Sequence, residues 1–318
     1  MPAMRWYPLR LRPILKPRIW GGRRLQEVFG KDLPDGERIG ESWELADLPN
    51  DKSVIVNGTL AGQTLAAVVQ EHGRSITGRT DFPSPFPLLV KFLDAQEVLS
   101  VQVHPDAEAC MRLTHGEPKS ECWYIVDAPA DAFIYKGLRP GTAKQAFKKA
   151  IADGTVMDLL QRVPVERGQC HFLPAGTVHA LGAGILVAEV QTPSDTTFRV
   201  FDWNRLDYQG RPRTLHVQEA LESIHFQESD QGLPVTSVGR LVDCPFFILD
   251  KGHLASGCQA LLSPGIMKVL IILTGRGRIA DAAGHAVEFR AGDCLLVPAA
   301  YEGAIVVQQD TEYLTVTI

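Results

Sequence analysis

Four side chains in the N-terminal half have the types and spacing of a metal site. Gln102 and His104 lie two residues apart in the alternating stretch 98–106. Successive side chains of a strand point to opposite faces, so these two share one face. Glu121 lies on a following strand, and His179 lies in a later hairpin. Two imidazoles and two oxygen ligands suit Zn²⁺ and are also compatible with Mn²⁺, Fe²⁺ or Co²⁺.

Such a centre would act as a Lewis acid. Glutamine is an uncommon and neutral ligand, so one glutamate against a divalent ion leaves a net charge of about +1. No thiol competes for this position, because Cys122 leaves its strand opposite to Glu121. A single histidine is more often a surface residue or a hydrogen-bonded core residue. Spacing across different strands therefore leaves both interpretations of His104 and His179 open.

The elements that must position these residues are short β-strands. Many strands separated by Gly, Asp and Pro predict a mainly β protein built from antiparallel barrels or jelly rolls. Thr64 is a candidate cap for a helix that Gly73 would close, and Asp106 is a candidate cap for a second helix. Helical periodicity also appears over residues 142–163 and 212–226. We interpret residues 139–163 as a helical insert in the N-terminal half.

One internal repeat predicts two related barrels. Residues 168–174 and 292–298 both read Gly, five residues, Pro. The first copy continues to His179, whereas the second has no histidine at the corresponding place. We therefore expect a metal-binding catalytic domain over residues 1–231 and a second barrel without metal ligands over residues 232–318.

Composition argues against several classes of function. Charged residues make 22% and hydrophobic residues 45% of the 318 residues, which is typical of globular proteins. The net charge of −5 does not indicate a nucleic-acid partner. No apolar run is long enough to predict a membrane span, and the basic N-terminal region lacks the apolar core of a secretory signal. Six cysteines without a C-x-x-C pair predict reduced thiols in a cytoplasmic protein.

The residues around the candidate ligands resemble the cupin superfamily. Residues 168–179 follow the core of its second motif, and Gln102 stands where most cupins place a histidine. That substitution occurs with Pro-Lys-Ser-Glu-Cys-Trp-Tyr at 118–124 and Ser-Asp-Thr-Thr-Phe-Arg at 194–199. The combination is similar to the short bacterial form of type I phosphomannose isomerase, and the resemblance covers nearly the whole chain.

The resemblance implies a zinc enzyme that interconverts mannose 6-phosphate and fructose 6-phosphate. One ion per chain would be bound by Gln102, His104, Glu121 and His179. Aldose–ketose isomerisation moves a proton between C2 and C1 through an enediolate. The reaction needs an electrophile for the developing oxyanion and a base for the carbon acid.

Other pocket residues follow from the same resemblance. Glu189 is the candidate base, and Arg199 is a candidate for stabilising the enediolate; a purely structural pair between the two is the alternative. Lys91, Ser100 and Lys119 are expected to contact the substrate or its phosphate, although a solvated lysine at a strand end is common. The expected partner is a small sugar phosphate, with no nucleic acid and no membrane. The oligomeric state is left open between monomer and homodimer.

Two other functions are compatible with these residues. An iron-dependent cupin dioxygenase would need three histidines and a glutamate, or two histidines and one carboxylate with open positions. Gln102 argues against the first of these arrangements. A non-catalytic sugar-phosphate-binding cupin would use the same site without turnover, and Glu189 and Arg199 argue against it.

Overall fold

The computed structural model describes residues 4–82, 85–227, 236 and 238–318. Over these residues the chain is mainly β, as its alternating patterns predict. The domain boundary expected between residues 231 and 232 lies outside the described residues. Within the described ranges, the helices are too short or too polar to span a membrane.

The helices and strands have the following bounds. The α-helices are α1 (Arg24–Phe29), α2 (Leu65–Thr77), α3 (Ala107–Leu113), α4 (Lys144–Asp153) and α5 (Val217–Ser223). The strands before residue 228 are β1 (Leu9–Arg10), β2 (Ile14–Gly22), β3 (Ile39–Leu45), β4 (Leu89–Ala95), β5 (Val101–Val103), β6 (Glu121–Asp127), β7 (Phe133–Leu138), β8 (Leu160–Pro164), β9 (Cys170–Leu173), β10 (His179–Leu181), β11 (Ile185–Gln191) and β12 (Phe198–Phe201). The strands after residue 238 are β13 (Gly239–Asp243), β14 (Ile248–Leu254), β15 (Gln259–Leu262), β16 (Lys268–Ile272), β17 (Arg276–Ala280), β18 (Ala286–Arg290), β19 (Cys294–Val297), β20 (Gly303–Val307) and β21 (Thr311–Thr317).

These strands form four sheets over the described part of the chain. Sheet I has the strand order β12-β5-β10-β7-β8, and sheet II has the order β2-β3-β4-β11-β6-β9. Sheet III has the order β1-β19-β16-β21-β14-β13, and sheet IV has the order β15-β20-β17-β18. Each sheet keeps two edge strands, so none of them closes on itself into a barrel.

The second half of the chain repeats the strand order of the first half. Adding ten to each strand number converts β5-β10-β7-β8 of sheet I into sheet IV. The same shift converts β3-β4-β11-β6-β9 of sheet II into β13-β14-β21-β16-β19 of sheet III. The sequence repeat at 168–174 and 292–298 falls on β9 and β19, which correspond to each other in this scheme. The two halves therefore share one strand topology.

Apolar side chains fill the spaces between the sheets. Leu181 of sheet I belongs to the same buried cluster as Ile125 of sheet II. Val190 of sheet II shares a second cluster with Val316 of sheet III. A further cluster contains side chains from sheets III and IV. The four sheets thus lie as successive layers, with α4 and α5 packed on the outer face of sheet I.

The N-terminal segment connects the two halves. β1 pairs with β19 at the edge of sheet III, with Leu9 opposite Leu296. The neighbouring Arg10 forms an ion pair of 2.9 Å with Asp293. One strand from the beginning of the sequence therefore belongs to a sheet that is otherwise built from the second half.

Two predicted helices begin at their expected caps, but one of them ends later than predicted. The side chains of Thr64 and Asp106 accept hydrogen bonds from the first turns of α2 and α3. α2 is kinked at His72, whose φ of −124° and ψ of 21° are not helical, directly before the Gly73 that the sequence suggested as its end. The helical span then resumes and stops at Thr77. Gly78 provides the C-cap because its φ of 81° is left-handed, a conformation that glycine adopts without strain.

The region predicted as a helical insert is only partly helical. α4 occupies residues 144–153, but residues 160–163, which lie in the predicted helical range, belong to β8 and pair with β7. A short 3₁₀ turn at Val156–Leu159 explains the helical spacing of the apolar residues before β8. β8 is an edge strand, where the proline at its end is tolerated. α5 covers only Val217–Ser223 of the predicted range.

Replacing Gly78 with alanine should destabilise the protein. A left-handed backbone costs a non-glycine residue about 1–2 kcal/mol, and the added Cβ would lie 2.3 Å from the carbonyl oxygen of Gly265. Gly73→Ala is the matched control, because no atom lies within 4 Å of its added Cβ; it should stabilise the fold by about 0.4–1 kcal/mol. Chemical denaturation measures both free energies of unfolding. Equal stabilities of the two variants would contradict the assignment of Gly78 as the helix cap.

Candidate metal centre

The four candidate ligands converge between sheets I and II. Gln102 lies on β5 directly opposite His179, the first residue of β10, and both strands belong to sheet I. His104 follows β5 by one residue, and Glu121 begins β6 in sheet II. The donor atoms of His104, Glu121 and His179 lie within 4.8 Å of one another, and all three side chains are buried.

Glu121 lies between the two imidazoles. Its Oε2 is 3.3 Å from His104 Nε2, and its Oε1 is 3.3 Å from His179 Nε2. The amide nitrogen of Gln102 lies 3.3 Å from the same Nε2 of His179. A half-turn of the amide plane exchanges its oxygen and nitrogen, so the oxygen can face this point. The four side chains therefore offer donor atoms to one common position.

Backbone carbonyls fix the tautomers of both rings. The Nδ1–H group of His104 donates to the carbonyl of Thr196, and that of His179 donates to the carbonyl of Thr177, each at 2.8 Å. A carbonyl oxygen only accepts hydrogen bonds, so the proton of each neutral ring lies on Nδ1. The lone pair of each Nε2 then points towards Glu121. This is the arrangement in which histidines bind metals.

The buried polar atoms of this cluster lack hydrogen-bond partners. His104 Nε2 and both carboxylate oxygens of Glu121 have no hydrogen-bond partner among the described residues, and Oε2 faces the Lys119 ammonium at 2.9 Å. Buried polar atoms are normally satisfied, and leaving them unsatisfied costs stability. A divalent cation would satisfy all three atoms at once. The donor set of two imidazoles, one carboxylate and one amide therefore fits a metal ion.

Burial and nearby charges keep these groups in their metal-binding protonation states. Burial, assisted by the Lys119 ammonium, lowers the pKa of His104 to about 3. Burial also lowers the pKa of His179, against the opposing effect of Glu121. For Glu121 burial acts to raise the pKa, but Lys119 and the two imidazoles outweigh it and hold the pKa well below its usual range. At neutral pH the site therefore presents neutral imidazoles and a carboxylate.

A cavity of about 360 Å³ opens beside these ligands. The side chains that line it and that sequence analysis had named are Lys91, Ser100, Gln102, Lys119, Glu189 and Arg199. The charged side chains that line it and that sequence analysis missed are Arg18, Glu41, Asp195 and Arg213. Of the missed residues, Arg18, Glu41 and Asp195 carried a signal, because they lie in the motifs at 16–22, 40–44 and 194–199, whereas Arg213 lies in none of them.

The two candidate substrate lysines are buried and paired with carboxylates. Lys91 Nζ lies 3.2 Å from Glu189 Oε1, directly across β4 and β11. Lys119 Nζ lies 2.9 Å from Glu121 Oε2. Each lysine side chain is 5% exposed. Both are thus counter-ions of the site's carboxylates and not solvated lysines at strand ends. Ser100 lies beside them, with its Oγ 3.5 Å from Gln102 Oε1.

Glu189 is held by two neighbours of sheet II. The indole N–H of Trp123 donates to its Oε2 at 3.0 Å, and Lys91 faces its Oε1. Burial raises the pKa of Glu189, against the lowering effect of Lys91. The structural alternative, a pair between Glu189 and Arg199, does not form. Arg199 instead donates to the carbonyl of Thr214 at 2.9 Å.

The second half keeps the strands of this site but not its ligands. At the register positions of Gln102, Glu121 and His179 stand Leu262, Lys268 and Gly303. The Lys268 ammonium donates to two backbone carbonyls, each at 3.1 Å. A Cβ at Gly303 would lie 2.5 Å from the hydroxyl oxygen of Tyr301, so this ring occupies the space of the missing histidine. None of these three residues offers a metal-binding side chain.

Comparisons with known proteins agree with this geometry. The family described as phosphomannose isomerase type I, catalytic domain, matches residues 9–130. Mannose-6-phosphate isomerase ManA of Bacillus subtilis is 37% identical over 303 residues, which cover 92% of this chain and 93% of that protein. Mannose-6-phosphate isomerase of Streptococcus mutans is 37% identical over 300 residues, which cover 92% of each chain.

The fold agrees as well. The crystal structure of the mannose 6-phosphate isomerase from Bacillus subtilis superposes with a TM-score of 0.88 at 30% sequence identity. The match covers 97% of this chain and 99% of that chain. Both sequence and fold thus match over almost the full length. The chain belongs to the type I phosphomannose isomerase family.

Proposed function

We propose that this chain interconverts mannose 6-phosphate and fructose 6-phosphate with one Zn²⁺ bound by Gln102, His104, Glu121 and His179. The activity rests on membership of a family whose relatives are named mannose-6-phosphate isomerases. The metal rests on one observation: a buried carboxylate lies between two imidazoles whose free nitrogens face it. Mixed nitrogen and oxygen ligands of this kind suit zinc.

Glu189 is the base in this proposal. The isomerisation removes a proton from one carbon of the sugar and returns it to the neighbouring carbon. Burial raises the pKa of Glu189 and makes it a stronger base near neutral pH. Trp123 and Lys91 each hold one oxygen of its carboxylate, so its orientation is fixed before the substrate arrives. When bound, the metal ion supplies Lewis acidity that stabilises negative charge on the sugar oxygens.

Arg199 and the substrate-contacting residues complete the cavity. Arg199 lies opposite Gln102 across β12 and β5, so its side chain leaves the backbone beside one of the proposed metal ligands. A register shift between Arg199 and Phe201 interrupts the strand pairing here, a device that often redirects a side chain. We assign Arg199 to the negative charge of the enediolate. We assign Lys91, Ser100 and Lys119 to substrate contacts, since all three line the cavity.

The two halves correspond to two cupin folds in this proposal. Sheets I and II would form the metal-binding domain within residues 1–231, with an insert at about 139–163, and sheets III and IV the second domain within 232–318. The repeated strand order supports this division. β1 is the exception, since it joins sheet III. The six cysteines are free thiols, which supports a reducing, cytoplasmic location.

Removing the metal should abolish the isomerase activity. We expect purified protein to contain about one zinc ion per chain and to lose turnover of mannose 6-phosphate in the presence of a chelator. His179→Gln should weaken metal binding by more than about 100-fold, the upper range for loss of an outer-sphere partner. His171→Gln is the control, because His171 is also buried but lies outside the ligand cluster. Elemental analysis and a fructose 6-phosphate assay report on both variants.

The same assay separates the other two functions. Binding of mannose 6-phosphate without formation of fructose 6-phosphate would favour a non-catalytic sugar-phosphate-binding protein. Bound iron together with consumption of oxygen would favour a dioxygenase. Product that does not depend on the metal would contradict the proposed site.

Glu189→Gln should lower kcat by about 10²–10⁴-fold while the metal stays bound, because the variant keeps the shape of the side chain and loses its basicity. Glu312→Gln is the control, since Glu312 also pairs with a buried lysine, Lys251 at 3.1 Å, but lies in the second half. Steady-state kinetics and metal content decide the outcome. A fully active Glu189→Gln enzyme would reduce Glu189 to a structural partner of Lys91.

A further inference from the structure

We propose that Arg213 binds the phosphate group of the substrate, and that Asp202 positions Arg213 for this role. This inference rests on the proposed function and specifies which end of the cavity takes the phosphate. Neither Arg213 nor Asp202 carries a recognisable signal in the sequence. Their role follows from how the loop after β12 is folded.

Three guanidinium groups crowd the cavity. Arg18, Arg199 and Arg213 all line it. The Nε atom of Arg199 is buried and has no hydrogen-bond partner among the described residues. Burial lowers the pKa of Arg199, and the charge of Arg213, which lines the same cavity, lowers it further. Like charges repel each other, so a cavity that brings them together is suited to an anion, and guanidinium groups match the geometry of phosphate.

Asp202 holds Arg213 in place. Its side chain is 4% exposed and accepts a hydrogen bond from Arg213 Nη1 at 2.9 Å. It also accepts one from Arg205 Nε at 3.2 Å, so one carboxylate is shared by two arginines. Trp203 and Asn204 follow with left-handed φ angles of 54° and 57°, which reverse the chain directly after β12. An antiparallel bridge between Leu206 and Pro212 then brings Arg213 back beside Asp202.

The other charges of the cavity are already paired or lie at its mouth. Glu41 accepts a hydrogen bond of 2.6 Å from Arg18. Lys91 and Lys119 pair with Glu189 and Glu121. Asp195 also lines the cavity but is exposed. No carboxylate of the described residues lies within ion-pair distance of Arg199. The surplus positive charge of the cavity therefore lies beside β12.

The position of this charge matches the length of the substrate. Arg199, Gln102 and His179 are successive neighbours across β12, β5 and β10. Two strand spacings, about 10 Å, therefore separate the backbone of Arg199 from that of His179. A hexose 6-phosphate carries its reacting carbons and its phosphate at opposite ends. With the reacting carbons at the metal centre and the enediolate at Arg199, the phosphate would lie farther along the cavity, beside Arg213 at the end of β12.

The test compares Arg213→Met with Arg213→Lys and with Arg211→Met in the metal-loaded enzyme. Arg211 lies in the same loop, but its exposed side chain pairs with Asp207. We expect Arg213→Met to raise KM for mannose 6-phosphate by about 10- to 100-fold with little change in kcat, because a charge-assisted contact is lost. Competitive inhibition by inorganic phosphate should weaken by a similar factor. Arg213→Lys should show a smaller increase, and Arg211→Met none.

Asp202→Asn tests the positioning role. Like Arg213→Met, but less strongly, it should raise KM and weaken inhibition by phosphate. We expect kcat to stay near the wild-type value. A loss of stability alone would not raise KM while leaving kcat unchanged. Unchanged KM and unchanged phosphate inhibition in Arg213→Met would overturn the proposal. If Arg213→Met does not fold, Arg213→Lys decides by the same two constants.

Phosphate binding separates this proposal from the proposed function. Calorimetric titration of inorganic phosphate into wild type and Arg213→Met needs no turnover. An inactive wild-type enzyme that binds phosphate through Arg213 would refute the isomerase activity and support the anion site. If the wild-type enzyme is active and Arg213→Met binds phosphate as tightly as wild type does, the isomerase activity is supported and the anion site at Arg213 is refuted.

Discussion

The structure depends on a carboxylate that is taken out of water. Glu121 is 1% exposed, and a buried charge of this kind is tolerated only when other charges and hydrogen-bond donors compensate it. Here Lys119 supplies one compensating charge. The two imidazoles direct lone pairs at the carboxylate, because backbone carbonyls set their tautomers, so a metal ion among them would complete the compensation. The same principle governs Glu189 and Lys91 on the neighbouring strands. Alternating charges across sheet II thus keep the cavity polar in the middle of an apolar core.

Two facing sheets divide the work of the site between them. Sheet II contributes the buried carboxylates and their lysines, whereas sheet I contributes Gln102, His179 and Arg199 as neighbours on successive strands. Strand register places these side chains side by side before a substrate binds, which favours catalysis. In the second half the same strands carry Leu262, Lys268 and Gly303, and its interior is filled by apolar residues instead. One topology therefore serves a reactive cavity in one half and a packed core in the other.

Several of these features could be predicted from the sequence because they are local. Residues two apart in a strand share one face, which groups Gln102 with His104. A polar residue directly before a helical pattern of apolar residues identifies Thr64 and Asp106 as caps. Features set by distant contacts could not be predicted. The pairing of Lys91 with Glu189 depends on β4 lying beside β11, and β8 is a strand because β7 offers it a partner. Arg213 gave no signal because only the folded loop brings it to the cavity.

The pairing of β1 with β19 has a consequence for how the protein is made. Leu9 leaves the ribosome long before Leu296, so β1 waits without its partner while nearly the entire chain is synthesised. Contacts of such long sequence separation form late and slow the folding of β proteins. An unpaired strand is also a template for unwanted association with other chains. β1 therefore stays open to such association until β19 has been made.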